Sequence, residues 1–127
     1  MTEASLEEGC VTWYRLQYGK SGLIIKIPNE GKRSAAKGAE MKRRGLTAGA
    51  CDLLIIAARS SYFGLFIELK KSEQEKTTEA QEKFIARVIK DGYAAEICKS
   101  FEEFESVVKK YMTGRYNQQA INEILTR

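Results

Sequence analysis

Three charged side chains stand where the surrounding pattern calls for apolar ones. Asp52 opens the run 51–58, Glu68 interrupts the run 63–69, and Lys70 follows two residues after Glu68; neither run holds another charge. Taking an unpaired carboxylate out of water costs on the order of several kcal/mol, so such a group needs a partner, a cation or a raised pKa. Side chains alternate faces along a strand at about 3.3 Å per residue, which points Glu68 and Lys70 the same way, roughly 7 Å apart. A neighbouring antiparallel strand can bring Asp52 to that face. Two carboxylates facing one another repel unless a cation lies between them, and a divalent cation lowers the pKa of its bound water. An ammonium beside such a pair suits orienting or deprotonating that water, or stabilising negative charge that develops on a phosphate. For any one of these residues a buried ion pair is the plainer explanation. The three together, in strands otherwise free of charge, favour a metal site.

Gln81 is a fourth exception. Phe84, Ile85 and Val88 follow it at three, four and seven residues, so it shares the inward face of a helix. Thr78-Glu79-Ala80-Gln81 also fits a capping box, in which the glutamine reaches back to the helix N-cap. On the residues alone the two roles stand even. The chain contains no histidine, which excludes Ser-His-Asp hydrolysis, histidine-metal nucleases and zinc sites with a histidine ligand. Any metal site must then use oxygen ligands, which suit Mg²⁺, Mn²⁺ or Ca²⁺.

The elements that must position these residues can be read in order. Leu6, Cys10, Trp13 and Tyr14 recur at helical spacing over about 5–18, and Gly19 and Gly22 end the pattern. Leu23-Ile24-Ile25-Lys26-Ile27 is a short β-branched run closed by the turn-forming Pro28-Asn29-Glu30-Gly31. A basic helix over about 34–44 follows, stopped by Gly45. The runs 51–58 and 63–69, separated by the polar Arg59-Ser60-Ser61-Tyr62, should pair as an antiparallel hairpin inside a sheet covered by helices. Helix over 77–90, strand over 93–98 and helix over 101–111 complete the series, with a further helix expected from Arg115. The order α-β-α-β-β-α-β-α implies an α/β fold, a mixed sheet flanked by helices, in place of a doubly wound one.

A chain of 127 residues with 43% apolar content supports one compact domain and too little core for two. No stretch approaches the roughly 18 consecutive apolar residues of a membrane span, and Met1-Thr2-Glu3-Ala4-Ser5 lacks the pattern of a secretory signal. A soluble, cytoplasmic protein is expected, with Cys10, Cys51 and Cys98 as reduced core thiols. The net charge is +4. Eight basic residues against Glu30 and Glu40 place +6 in the segment 20–44, leaving the remainder at −2. A basic segment on a nearly neutral remainder is the footprint of a nucleic-acid partner, with a solvated helix face as the alternative.

Asp52, then Glu68-Leu69-Lys70, then Gln81 on the next helix follow the PD-(D/E)xK pattern. Ile27-Pro28-Asn29-Glu30-Gly31-Lys32-Arg33, Lys42-Arg43-Arg44-Gly45-Leu46-Thr47-Ala48-Gly49-Ala50-Cys51-Asp52 and Ile67-Glu68-Leu69-Lys70 narrow it further. They resemble the VRR-NUC domains, a branch found in stand-alone proteins of phages and bacteria and fused to larger repair nucleases. The match runs from about Leu6 to Ile97.

The resemblance implies a restriction-endonuclease-like αβββαβ core with an additional helix inserted after the first strand and helices at the C-terminal side. It implies one VRR-NUC domain over 1–127, with its core at about 5–98 and a helical extension at about 101–127. The implied activity is Mg²⁺- or Mn²⁺-dependent hydrolysis of DNA phosphodiester bonds by a homodimer acting on branched DNA such as Holliday junctions. No organic cofactor and no membrane are implied, and the setting would be a bacterial or phage-infected cytoplasm. Asp52, Glu68 and the Leu69 backbone carbonyl would hold metal, Lys70 would be the catalytic lysine, and Gln81 would support the site. Such nucleases usually add a glutamate from the first helix; Glu7 and Glu8 are the candidates, and apolar neighbours favour Glu7. Contacts to DNA would fall to Asn29, Lys32, Arg33, Lys37, Lys42, Arg43 and Arg44. Two departures stand out: Cys51 occupies the place of the usual proline, and Glu30 is an acid in a loop where not every member has one, so the loop is read as facing or positioning DNA. The competing readings are a non-catalytic DNA-binding module on the same fold and a nuclease for RNA or single strands.

Overall fold

A strand that is apolar on both faces must lie inside a sheet with cover on either side, and β3 (Leu65–Leu69) is buried at every position. The structure, a computed structural model, describes residues 2–28 and 34–119. Within them lie α1 (Glu3–Tyr18), β1 (Leu23–Lys26), α2 (Ala35–Arg43), β2 (Leu53–Ile56), β3, α3 (Glu79–Lys90), β4 (Ala94–Cys98) and α4 (Phe101–Met112). This is the mixed α/β order the periodicities predict. The strands form one sheet in the order β1-β2-β3-β4. β1 with β2 and β2 with β3 are antiparallel, as the hairpin expectation requires, whereas β3 and β4 run parallel, with α3 as the connection between them.

Alternation along the strands divides the core into two layers. Leu53, Ile55, Leu65, Ile67 and Leu69 pack with Leu6, Cys10 and Tyr14 of α1 and Phe104, Val108 and Tyr111 of α4. On the other face Phe66, Ala95 and Ile97 pack with Ile85 of α3, alongside Phe84 and Val88. Glu68 and Lys70 share the parity of Phe66 and so point to the α3 side. Helix α2 has no buried residue. Each helix begins where a hydroxyl takes an otherwise unsatisfied N–H: Thr2, Ser34, Thr78 and Ser100 are the N-caps. Cys10, Cys51 and Cys98 are free and buried, as expected. Among the described residues no helix is long and apolar enough to cross a membrane.

The helix expected from Arg115 does not form as far as Gln119, and the remainder of that expected element lies outside the described residues. The reason is an open sheet edge. Gly114, at φ 76°, turns the chain after α4, and the Gln118 side chain then takes both backbone groups of Ala95, accepting from its N–H at 2.8 Å and donating to its carbonyl at 3.0 Å. Strand β4 is the last in the sheet, and a bare edge leaves N–H and C=O groups without partners. Beside this contact the Tyr116 hydroxyl donates to the buried Glu96 carboxylate at 2.5 Å. The irregular tail through Gln119 brings side chains to these groups.

Tyr116→Phe should therefore lower the unfolding free energy by about 1.5–3 kcal/mol, the range for a hydrogen bond to a charged group. A urea titration reads this as a lower midpoint at constant slope. An unmoved midpoint would mean that this contact does not anchor the tail.

Candidate metal and nucleic-acid site

The β2–β3 register pairs Leu53 with Ile67 and Leu54 with Phe66, and one further step sets Asp52 opposite Glu68. Asp52 Oδ2 accepts from the Leu69 N–H at 2.8 Å, so the aspartate side chain continues the ladder beyond the last backbone pair. Asp52, Glu68 and Lys70 are 2%, 3% and 5% exposed, which means their charges are balanced by one another or by a ligand and not by water. Lys70 Nζ lies 3.5 Å from Glu68 Oε2. It also donates to Gln81 Oε1 at 3.0 Å, while Gln81 Nε2 donates to the same Glu68 Oε2 at 3.0 Å. Gln81 thus bridges lysine and glutamate.

The capping role of Gln81 is present as well. Its Oε1 accepts from the Thr78 N–H at 2.9 Å, and its own N–H donates to Thr78 Oγ1 at 3.1 Å. The two readings of this glutamine are one arrangement: the cap fixes the amide at the first turn of α3, and the fixed amide meets Lys70 and Glu68.

Glu68 Oε1 is the only buried side-chain polar atom without a hydrogen-bond partner among the described residues. Burial, and next the negative charge of Asp52, push the Glu68 carboxyl from 4.5 up to about 8, against the opposing pull of Lys70. A buried carboxylate oxygen with no donor, held beside a second carboxylate, fits an oxygen-coordinated cation. Among the described residues no group of three or more His, Cys, Asp or Glu side chains is gathered at metal-ligating spacing. The donor set that fits is therefore Asp52 and Glu68, supplemented by backbone or solvent oxygens.

Two acids of the first helix, Glu7 and Glu3, lie on the face toward the sheet. Glu7 Oε1 forms an ion pair with Lys26 Nζ of β1 at 2.8 Å. Glu3, one turn earlier on the same face, is the carboxylate of α1 whose charge acts on Glu68. Its signal in the sequence was its place ahead of Leu6 and Cys10 on the buried stripe. Glu8 is exposed. Glu96 was also missed: it is buried like Glu68, yet it shares the parity of Ala94 and Cys98, on the α1–α4 side of the sheet, and meets the Tyr116 hydroxyl there.

Of the residues expected to meet DNA, Asn29, Lys32 and Arg33 lie outside the described residues. Lys37 and Arg44 both pair with Glu40, at 3.6 and 3.2 Å. Lys42 and Arg43 are exposed and form no ion pair among the described residues. The loop from α2 to Asp52 is tied to the site by Gly49, whose φ is 78°, and a Cβ there would lie 2.3 Å from the backbone of Ala80. Only glycine permits that approach of the loop to the first turn of α3.

The sequence profile of the VRR-NUC domain matches residues 1–102. The chain belongs to the VRR-NUC family. A solved structure described as a VRR_NUC domain protein is 30% identical to it, with 90% of each chain covered and a TM-score of 0.78. A second, described as a VRR_NUC domain, is 27% identical over 83% of this chain and 97% of its own, with a TM-score of 0.52. No curated protein sequence matches the chain. The sheet and its helices are those of the family, and the chain is a nuclease-type domain of the DNA-processing kind.

Two consequences can be measured. Gly49→Ala forces a β-carbon into the backbone of α3 and strains a positive φ, so stability should fall by about 1–3 kcal/mol. Thermal melting tests this, and an unchanged melting temperature would refute the close approach. The second concerns pH. A carboxyl whose folded pKa is raised holds its proton more tightly when folded, so its contribution is full below 4.5 and is lost as pH rises to about 8. In EDTA, the VRR-NUC domain should lose stability across that window, and Glu68→Gln should flatten the loss. Identical pH profiles would show that Glu68 titrates normally.

Proposed function

We propose that this VRR-NUC domain is an endonuclease that hydrolyses DNA phosphodiester bonds with Mg²⁺ or Mn²⁺ held by Asp52 and Glu68. The observation that carries the reading is the partnerless Oε1 of Glu68 beside Asp52, on the face where Lys70 and Gln81 converge. The Leu69 backbone carbonyl and a carboxylate from α1, Glu7 or Glu3, would supplement the two side-chain ligands. When bound, the divalent cation supplies charge neutralisation at the phosphate and acidifies water.

The side chains of the domain have separable tasks. Lys70, fixed by Gln81 Oε1 and Glu68, presents a cation where negative charge develops on the phosphate, and a charge held in place needs no reorganisation at the moment of reaction. Gln81 is a positioning residue, since its amide holds Lys70 and Glu68 without needing to reach the phosphate. The exposed Lys42 and Arg43, with Lys37, Arg44 and the segment 29–33, suit contact to the DNA backbone, which is independent of base sequence. Branched DNA, such as a four-way junction, is the proposed substrate. Two copies of the domain would give each strand of a symmetric junction its own site.

Cleavage of duplex, flap, four-way junction and single-strand DNA, each with Mg²⁺ and with EDTA, tests the reading. Cleavage should require the cation and fall by at least about 100-fold in Asp52→Ala and Glu68→Ala, while DNA binding persists. Either variant cutting at full rate would reject the site. Lys70→Ala should also lose cleavage but keep its affinity for Mn²⁺; a collapse of that affinity would make Lys70 structural. Replacing Lys42 and Arg43 together should flatten the salt dependence of DNA affinity by up to about two units. Replacing Lys109 and Lys110 on α4 provides the equal-charge control, and an equal effect there would remove the assigned DNA path.

A further inference from the structure

Next to the carboxylates lies a cleft that the hydrolysis reaction does not use. It encloses about 530 Å³ between the end of β1, the C-terminal end of α2, the loop after it, and the α3 side of the sheet, and its walls include Met41, Leu46, Phe66 and Phe84. That size is within the range of clefts that hold small organic groups. Its lining is apolar apart from Arg44 and Thr47. Phe66 and Phe84 meet edge to face, with ring centroids 5.3 Å apart.

The cleft and the site share a floor. Phe66 precedes Glu68 by two residues on β3, so the ring and the carboxylate point to the same side roughly 7 Å apart. Phe84 follows Gln81 by three residues on α3, again on one face. Thr47 and Ala50, in the loop that leads to Asp52, complete the connection. The one charged group in the lining is Arg44, paired with Glu40 at 3.2 Å, and the exposed Lys42 and Arg43 precede it in the chain.

We propose that this cleft receives one unstacked nucleobase of the DNA strand being cut. An apolar, aromatic-walled recess within a basic surface matches a ligand that is itself apolar on a charged backbone, as an unpaired nucleotide is. The phosphates complement Arg44 and its neighbours, and the base lies against Phe84, which the largely buried Phe66 backs edge to face. A base stacked within uniform duplex must first be flipped out to enter, and that unstacking costs less at a branch point or an unpaired position. The few polar groups in the lining give stacking without base-edge readout, so the preference is for an unpaired position and not for a sequence. This inference rests on the nuclease reading above and supplies a structural basis for choosing branched over uniform duplex DNA.

The test uses DNA carrying 2-aminopurine at an unpaired position beside a branch, and a fully paired control with the same probe, both in EDTA so that no cleavage occurs. Binding of the wild-type domain should change the emission of the unpaired probe and leave the paired one unchanged. Phe84→Leu keeps an apolar wall but removes a stacking face, and the ratio of unpaired to paired affinity should fall about tenfold. Met41→Gln, on a helix with no buried residue, should lower that ratio in the same direction without disturbing the fold. Equal weakening on paired and unpaired DNA would overturn the proposal, as would an unresponsive probe or unchanged ratios in both variants. Because the assay needs no catalysis, its failure is distinct from a Glu68→Ala variant that still cuts with Mg²⁺, which would reject the nuclease site and not the cleft.

Discussion

The fold is organised around a carboxylate that water cannot reach. Glu68 is 3% exposed, faces Asp52 across two strands, and leaves one oxygen without a donor. Burial without full compensation costs on the order of a few kcal/mol, and the rest of the core offsets it. The continuous apolar runs on β2 and β3 hold the strand pair in register against α1 and α4, so the two acids cannot move apart to relieve their repulsion. The raised pKa of Glu68 expresses that restraint in the absence of a cation. A pair of carboxyl groups held in this manner has met its electrostatic cost during folding, and the proposed cation would need little rearrangement of them.

Helix α3 links that strain to the surface. Its first turn is fixed by the Thr78–Gln81 capping box, and the same glutamine amide reaches Lys70 and Glu68. Gly49 lets the loop before Asp52 lie directly on this turn. One backbone junction therefore sets the position of the aspartate, the amide and the lysine together. Displacement of any one would disturb all three, which makes the local geometry resistant to small fluctuations but sensitive to a single added methyl group. The cleft walled by Phe66 and Phe84 is built on the same strand and helix, so site and cleft keep a constant relation.

Charge is distributed to match. Asp52 and Glu68 are buried at the end of the β2–β3 pair, and the basic groups of the α2 region remain exposed, with Lys42 and Arg43 outside any ion pair among the described residues. A polyanion is attracted by the exposed cations, whereas the carboxylates alone would repel it. The basic groups can hold the DNA backbone without a metal, but bringing a phosphate up to the acidic pair itself calls for a cation there, and this links the DNA-processing character of the VRR-NUC family to the proposed metal site.

Local patterning in the sequence determined the helix and strand order, the hairpin and three buried charged exceptions, because side-chain alternation and helical period are properties of neighbouring residues. Gln81 was legible as either a cap or a site residue, and only the crossing of α3 over β3 showed that one amide does both. The surroundings of the acids on the first helix were not legible in the sequence: the docking of α1 pairs Glu7 with Lys26, a contact between residues far apart in the chain. Glu96 gave the same signal as Glu68, a carboxylate in an apolar strand, and only the assembled layers put it on the opposite face against Tyr116. The tail after Gly114 carries helix-compatible residues, but through Gln119 it forms no helix, and the Gln118 side chain instead bonds the open edge of β4 at Ala95. Spacing along a chain dictates which way each residue points. Which groups meet across the sheet is set by long-range register and docking, where contacts between residues far apart in sequence outweigh local propensity.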